Sequence, residues 1–385
     1  TNDLEAFKAV PWDLIVADES HYFKWPETKR AKAMLSIRDF AAQRMPMTGT
    51  PVCNNALDLY AQFEFMRKGA SGFISWKNFR SFYGVYETTA AGYERLLSVQ
   101  NLPFMKERLA RHAFQMSLQE ALPDLPQKTY DVIEVEMTPE QTDMYNSLKN
   151  QLALEIEREA RTKTLVISNV LTKLLRLTQI TSGFVKWDAK LNFDGDVIDP
   201  AQIEYITPNP KLDELVAHIK ELSANEKFQV WCSFRPDIFS VSERLKREGI
   251  DYVTYFGSTS EADRKEAEYR FNSDRKCKGW VGNPGAGGVG LNLLGYPPED
   301  PDSYDTNCTR VFYYSMDWSA VKRSQSEARA HRRGTRVHVQ VSDLCVPNTI
   351  DEEIRQRVFM KRISAMELSD VRSILASVLG VNMNI

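Results

Sequence analysis

The sequence predicts an α/β protein with two parallel-sheet regions and a helical block between them. Three observations predict it. A short apolar run, Leu14 to Ala17, stops abruptly at two adjacent acids, Asp18 and Glu19. From Pro210 onward, short apolar strands alternate with amphipathic helices, the pattern of a parallel, doubly wound sheet. Between these regions, Leu57 to about Gln119 reads as helical and aromatic, with glycines at 69, 72, 84 and 92 marking turns.

Taken in order, Leu14–Ala17 has the continuous apolar character of a strand buried on both faces. Ala31 to Phe40 reads as a helix, and "RMPMTGTPV" as a second strand with its outgoing loop. Thr129 to Met137 alternates as a strand does. Thr138-Pro139-Glu140-Gln141 is a helix start, with helices expected to about Ile180. Asn192 to Asn209 holds Gly, Asp and Pro between two β-rich pieces, a small hairpin. In the second region "KLDELVAHIKEL" is an amphipathic helix and "FQVWCSF" a strand. "DIFSVSERLKREG" is a helix ended by Gly249, "DYVTYFG" a strand and "EADRKEAEYRFN" a helix. "KGWVGN" and "RVFYYS" are further strands.

The chain of 385 residues implies two or three domains. Net charge is −3, so a nucleic-acid surface must be a local patch and not a global excess. The five cysteines form no CxxC pair, which argues against a zinc site or disulfide framework and fits a reducing, cytoplasmic setting. No apolar run reaches the ~18 residues needed to span a bilayer, and no membrane partner is expected.

Ligands of open parallel sheets gather at the carboxyl ends of strands, where Asp18 and Glu19 stand. Adjacent carboxylates there suit a Mg²⁺-nucleotide site: one holds the metal, which prefers oxygen ligands, and the other orients water. Two solvated acids at a strand end would look the same in isolation. "TGTP", Thr48 to Pro51, places two hydroxyls around a glycine at a second strand exit. "NPGAGGVGLNL", Asn283 to Leu293, is glycine-dense after a strand, so its backbone can approach a phosphate. In "SQSEARAHRRGTR" a helix would put Gln325, Arg329 and Arg332 on one face, with Gly334 ending it. Arginine's planar fork suits a transferring phosphate. Arg235 and Arg264 are weaker candidates for a nucleic-acid backbone.

Order and spacing add what the separate pieces lack. Together they resemble the Swi/Snf-like branch of the superfamily-two helicases, ATP-driven DNA translocases. "LIVADESHYFK" is similar to that family's Walker B motif, and "TGTPVCNN" to its third motif. "LPQKTYDVIEVEMTPEQTDMYNSL" is similar to its inter-lobe segment. "PKLDEL", "FQVWCSF" and "YFGSTSEADRKEAEYRFN" are similar to the start of its second lobe and its fourth motif. "GAGGVGLNL" resembles the fifth motif and "QSEARAHRRG" the sixth. The resemblance implies an α/β fold of two RecA-like doubly wound parallel-sheet lobes with helical insertions between them. The implied division is 1–65, the later half of the first lobe; 66–125, its helical insertion; 126–208, an inter-lobe strand and a helical insertion of the second lobe; 209–350, the second lobe; and 351–385, a C-terminal helical extension.

The same resemblance implies ATP, Mg²⁺ and double-stranded DNA as ligands, with hydrolysis in the cleft between the lobes. Asp18 would bind Mg²⁺ and Glu19 would activate water. His21, Thr48 and Thr50 would couple nucleotide state to DNA grip. Gln325, Arg329 and Arg332 would reach the nucleotide from the second lobe. Gly288 and Gly290 would serve ATP binding, and Ser233, Arg235, Asn292 and Trp318 the DNA. The chain departs from the family at Pro284, where Ser or Thr is usual, at Thr335, where Gln is, at "DWSA" for "DWNP", and at Pro46. It also contains no Gly-Lys dipeptide, the core of a P-loop. The expectation is therefore a piece of a longer motor whose P-loop lies upstream. The alternatives are a non-catalytic DNA-binding scaffold of the same shape, or an RNA-directed DExH helicase.

Overall fold

The structure, a computed structural model, describes residues 3–53, 55–88, 94–162, 167–191, 197–286 and 290–363. The chain forms two compact units, Thr1–Ser117 and Leu118–Phe359.

In the first unit, strands Trp12–Ala17 and Ala41–Pro46 pair in parallel, with Trp12 opposite Ala41 and Ala17 opposite Pro46. Pro46 has no N–H to give to a ladder, and it is tolerated because alternate residues bond the partner strand and Met47, not Pro46, supplies the N–H here. Pairing then continues beyond it: Met47 N donates to Ala17 O (2.8 Å) and Ser20 N to Met47 O (2.9 Å). The strands are joined through helix Lys29–Ile37, whose N-cap Thr28 hydroxyl accepts from Ala31 N at 3.2 Å. A 3₁₀ turn, Arg38–Phe40, finishes the expected helix. With helix Leu59–Met66 it buries Ile15, Ala17, Phe23, Ala31, Ala61 and Phe65 in one cluster. Burial on both faces of the first strand is not what forms. Leu14 is 45% and Val16 49% exposed, because this sheet has two strands and its helical cover lies on the Ile15–Ala17 face.

The block after Leu57 is not helical throughout. Helices Trp76–Tyr83 and Leu102–His112 flank an antiparallel hairpin, Gly84–Thr88 with Glu94–Val99. The aromatic content did not distinguish the two states, since aromatics pack equally well on a hairpin. Here Tyr60, Phe79 and Tyr83 form a chain of rings with centroids 5.1 and 4.8 Å apart, over Phe63 and Met105.

The second unit contains a six-stranded parallel sheet. Its strand order is Tyr252–Tyr255, Gly279–Gly282, Glu226–Trp231, Asn307–Tyr313, Val339–Cys345 and Lys128–Glu134. Helices Pro210–Lys220 and Arg235–Arg247 cover one face, packing Leu215, Ile219, Ile238 and Leu245 onto Phe228, Val230, Phe312 and Leu344. Helices Glu261–Ser273, Ala320–Ala330 and Ile350–Ile363 cover the other face, over Trp231, Trp280, Tyr313 and Val341. The long helices Pro139–Thr162 and Ile167–Ser182 extend that second core with Tyr145, Leu152, Leu174 and Leu177. The first of them opens on a capping box, Thr138 N to Gln141 Oε1 and Gln141 N to Thr138 Oγ1, both 3.1 Å. The strand expected near Thr129 is therefore an edge of this sheet, paired along its length with Val339–Cys345. The latter strand escaped the pattern because Ser342 and Asp343 interrupt its apolar run. Both are buried, and Asp343 is paired with Arg323 (2.6 Å) and Arg355 (3.3 Å). The small hairpin joins Phe184–Trp187 to Gln202–Tyr205, so its first arm starts upstream of Asn192.

Gly295 holds the loop before Asn307–Tyr313 at φ +83°, and a Cβ there would lie 2.6 Å from Cys308 N. Gly295→Ala is expected to cost the second unit about 2–3 kcal/mol. A lower urea midpoint with unchanged slope would register it.

Candidate functional site

The predicted residues of the first unit converge where its two strands end. Asp18 Oδ1 accepts from Glu19 N at 2.8 Å, which turns the chain sharply out of the sheet. Glu19 takes a left-handed backbone conformation, φ 49° and ψ 47°. Side chains rarely adopt it, and such strain concentrates at functional positions. The turn brings Glu19 Oε2 to 3.1 Å from His21 Nδ1. The same nitrogen lies 2.9 Å from Thr48 Oγ1 and 3.4 Å from Thr50 Oγ1. Thr50 N donates to Thr48 Oγ1 at 3.0 Å, closing the second loop on itself. Asp18, Glu19, His21, Thr48 and Thr50 are thus one cluster, while Asn54 of the same motif lies outside the described residues.

A residue that sequence reasoning missed holds the two loops together. Gln62, 6% exposed, accepts from Ser20 Oγ (2.8 Å) and donates to Pro51 O (2.7 Å) and Asp58 O (2.9 Å). Asp58 in turn accepts from Cys53 N (2.9 Å) and Lys24 Nζ (3.2 Å). The available signal was a glutamine within the apolar helix "LYAQFEFM". A polar side chain on such a face must find partners or be costly.

The donor set at Asp18 and Glu19 fits Mg²⁺. Mg²⁺ keeps much of its water shell and binds through one or two carboxylates plus substrate phosphates. A dedicated protein cage of three or more ligands is absent among the described residues.

In the second unit the predicted residues form two groups. Ser233, just past strand Glu226–Trp231, donates from its N to Ser315 Oγ (2.8 Å) and from its Oγ to Ser315 O (3.1 Å). Asn283 donates to Cys232 O and Ser233 O, both at 3.0 Å, so three strand ends are joined there. Arg235 is exposed at the start of the following helix, with its guanidinium 5.4 and 5.3 Å from the Phe239 and Phe256 ring centroids. Arg264 instead reaches Gly257 O at 3.1 Å and sits over the Tyr255 ring. Trp318 packs half-buried against the core. Asn292 is fixed through its backbone, its N donating to Glu268 Oε1 (2.7 Å) and its O accepting from Asn272 Nδ2 (2.7 Å).

The second group carries the arginines. The helix ends at Ala330, where His331 leaves helical geometry, so Arg332 does not share a helical face with Gln325 and Arg329. Gly334 lies beyond the helix, at φ +101° in the next turn. The two arginines meet all the same: Arg329 Nη1 and Arg332 Nη1 both donate to Leu291 O, at 3.2 and 3.0 Å. Leu293 N donates back to Arg329 O at 3.1 Å. The chain just after the glycine-rich loop and the arginine turn are therefore one piece. Gly290 takes φ +76° at the loop exit, and Gly288 lies outside the described residues.

Two outcomes are expected. Gln62→Met would strand the Ser20 hydroxyl and Pro51 carbonyl and cost about 2–4 kcal/mol in unfolding experiments. Burial lowers the pKa of His21 below its ordinary 6.5, by more than Glu19 raises it, and Lys24 adds to the lowering. The unfolded chain then gains a proton near 6.5 that the folded chain refuses. The stability contribution is complete above pH 6.5 and falls as pH drops below it, and His21→Gln should flatten that part of the pH–stability curve.

Residues 1–183 match the family of the SNF2-related domain. The chain is 23% identical over 368 residues to Protein CHROMATIN REMODELING 5 of Arabidopsis thaliana, covering 94% of this chain and 20% of that protein. It is 26% identical over 356 residues to an uncharacterized ATP-dependent helicase, MG018, of Mycoplasma genitalium, covering 92% and 30%. A solved SWI2/SNF2 ATPase core of Sulfolobus solfataricus in complex with dsDNA aligns with TM-score 0.48 at 22% identity, over 97% of this chain and 74% of that one. The chain thus spans between a fifth and a third of the length of these curated relatives.

Proposed function

We propose that this chain, whose residues 1–183 match the SNF2-related domain family, is the motor portion of an ATP-hydrolysing translocase of the Swi/Snf-like type on double-stranded DNA. The observation that carries the reading is the strained Glu19 turn, with its carboxylate held beside His21 and Thr48 at the end of two parallel strands.

In this reading Asp18 would hold Mg²⁺, whose charge would offset that of the reacting phosphates. Glu19 orients the attacking water and takes its proton. A neutral His21 leaves the Glu19 carboxylate its charge and passes the position of that carboxylate to Thr48 and Thr50. This is a route by which loss of the γ-phosphate is felt at the loop after the second strand. Arg329 and Arg332, with Gln325, meet phosphate charge developing in the transition state. Gly288 and Gly290 allow close backbone approach to the nucleotide. Ser233, Arg235, Asn292 and Trp318 serve the DNA backbone. Such contacts give binding that weakens with salt and is largely indifferent to sequence.

Glu19→Gln in the full-length protein is expected to lower DNA-stimulated ATP turnover at least about 10²-fold, since it removes the base. Nucleotide affinity should stay near wild type. Turnover preserved in this variant would reject Glu19 as the base, and stimulation by RNA in preference to duplex DNA would reject the DNA reading.

A further inference from the structure

Arg329 is held from both sides by a segment some two hundred residues earlier in the chain. Two residues before it, Glu327 is 1% exposed and accepts from Lys128 Nζ (2.9 Å) and Tyr130 Oη (2.8 Å) on one carboxylate oxygen. Its other oxygen accepts from Arg323 Nε at 2.7 Å. Two residues after Arg329, His331 Nε2 donates to Pro126 O at 2.7 Å. A carbonyl only accepts, so His331 carries its proton on Nε2. The backbone adds a tie, Val339 N to Gln127 O at 3.1 Å. Residues 126–130 are the start of the strand by which the chain enters the second unit.

Fold stability alone does not explain this arrangement. A buried carboxylate among cations loses its hydration, and well-packed apolar side chains of similar size do as well or better for stability. What a saturated ionic cluster supplies is a single geometry. Here the geometry extends further, since Arg323 also pairs with Asp343 (2.6 Å) and lies 3.4 Å from the Tyr313 ring centroid. The arginine helix is thereby registered to strands on both sides, Asn307–Tyr313 and Lys128–Glu134.

We propose that Glu327 is a positioning residue that sets the aim of Arg329 and Arg332 by clamping their turn to the entering strand through Lys128 and Tyr130. The proposal rests on the reading that these arginines serve the nucleotide phosphates. Lys128 and Tyr130 then act through Glu327, and a shift of the entering strand shifts the guanidinium groups.

The test uses the full-length protein with Lys128→Met, Tyr130→Phe, Glu327→Gln and the double variant of positions 128 and 327. Lys128 is partly exposed and Tyr130 exposed, so those two variants should fold even if Glu327→Gln does not. Each of Lys128→Met and Glu327→Gln is expected to lower kcat for ATP about tenfold, with KM for ATP and DNA affinity within about twofold of wild type. Tyr130→Phe should lower kcat about threefold. The double variant should be no slower than the slower single one, since both changes cut the same tie. Unchanged kcat with only a lowered melting temperature would show a structural cluster and overturn the proposal, as would losses that multiply in the double variant. An inactive wild-type protein would instead overturn the ATPase reading itself, and this proposal with it.

Discussion

A parallel strand that stops inside a protein leaves amide and carbonyl groups pointing where no neighbouring strand can meet them. Left unpaired and dry, each costs on the order of 1–3 kcal/mol. The candidate site of each unit is built from the side chains that meet this demand. In the first unit, Gln62 takes Pro51 O in the loop beyond the second strand, and Asp18 takes Glu19 N. In the second, Asn283 takes Cys232 O and Ser233 O, Ser315 takes Ser233 N, and two arginines take Leu291 O. Loops tied in this way are stiff where they leave the sheet. The residues proposed to act on ATP and DNA stand on those stiff exits.

The same requirement explains the buried charges of the second unit. Lys227 is fully buried because its ammonium group donates to Phe271 O and Asp274 O, the carbonyls at the end of helix Glu261–Ser273. Burial pulls its pKa down to about 8. Asp237 sits beneath the strand ends, where burial pushes its pKa up to about 7 against the Ser315 hydroxyl and Lys211, which lower it. Ser315 donates to Asp237 Oδ2 while accepting from Ser233 N, so this carboxyl helps to set the loop proposed to grip DNA. Lys211 and Asp351, both nearly inaccessible, pair at 2.6 Å, and Asp351 also accepts from Thr181 Oγ1 at 2.7 Å.

Periodicity made most strands of the second unit legible, because a doubly covered strand is mostly apolar, as Phe228, Val230 and Trp231 are. It failed where burial was achieved by pairing and not by apolarity, at Ser342 and Asp343. It also failed where aromatic residues fit two kinds of structure, at the hairpin Gly84–Thr88 with Glu94–Val99. In the candidate site, Asp18, Glu19, His21 and the two threonines were legible through their motif spacing, and they do cluster. Gln62, Glu327 and Lys128 were not. Their importance lies in partners tens to hundreds of residues away, and no local pattern encodes such pairings.

The arginine turn illustrates why convergence matters more than spacing. A helical face would have set Arg329 and Arg332 about 4.5 Å apart along a helix axis, a separation fixed by rise alone. The helix ends at Ala330 instead, where Thr335 Oγ1 accepts from Arg332 N (2.9 Å) and donates to Ala330 O or Arg332 O. The short hydroxyl of Thr335 suffices to fold this turn back on the helix end. The chain between the arginines is then bent so that both reach one carbonyl. A guanidinium carries its N–H donors in a rigid fork, and a bond to Leu291 O anchors each of these two. Anchoring removes rotamer freedom, which would lower the ordering cost of meeting the phosphate proposed for these two groups. The clamp at Glu327 and His331 extends that preorganisation from the side chains to the backbone that carries them.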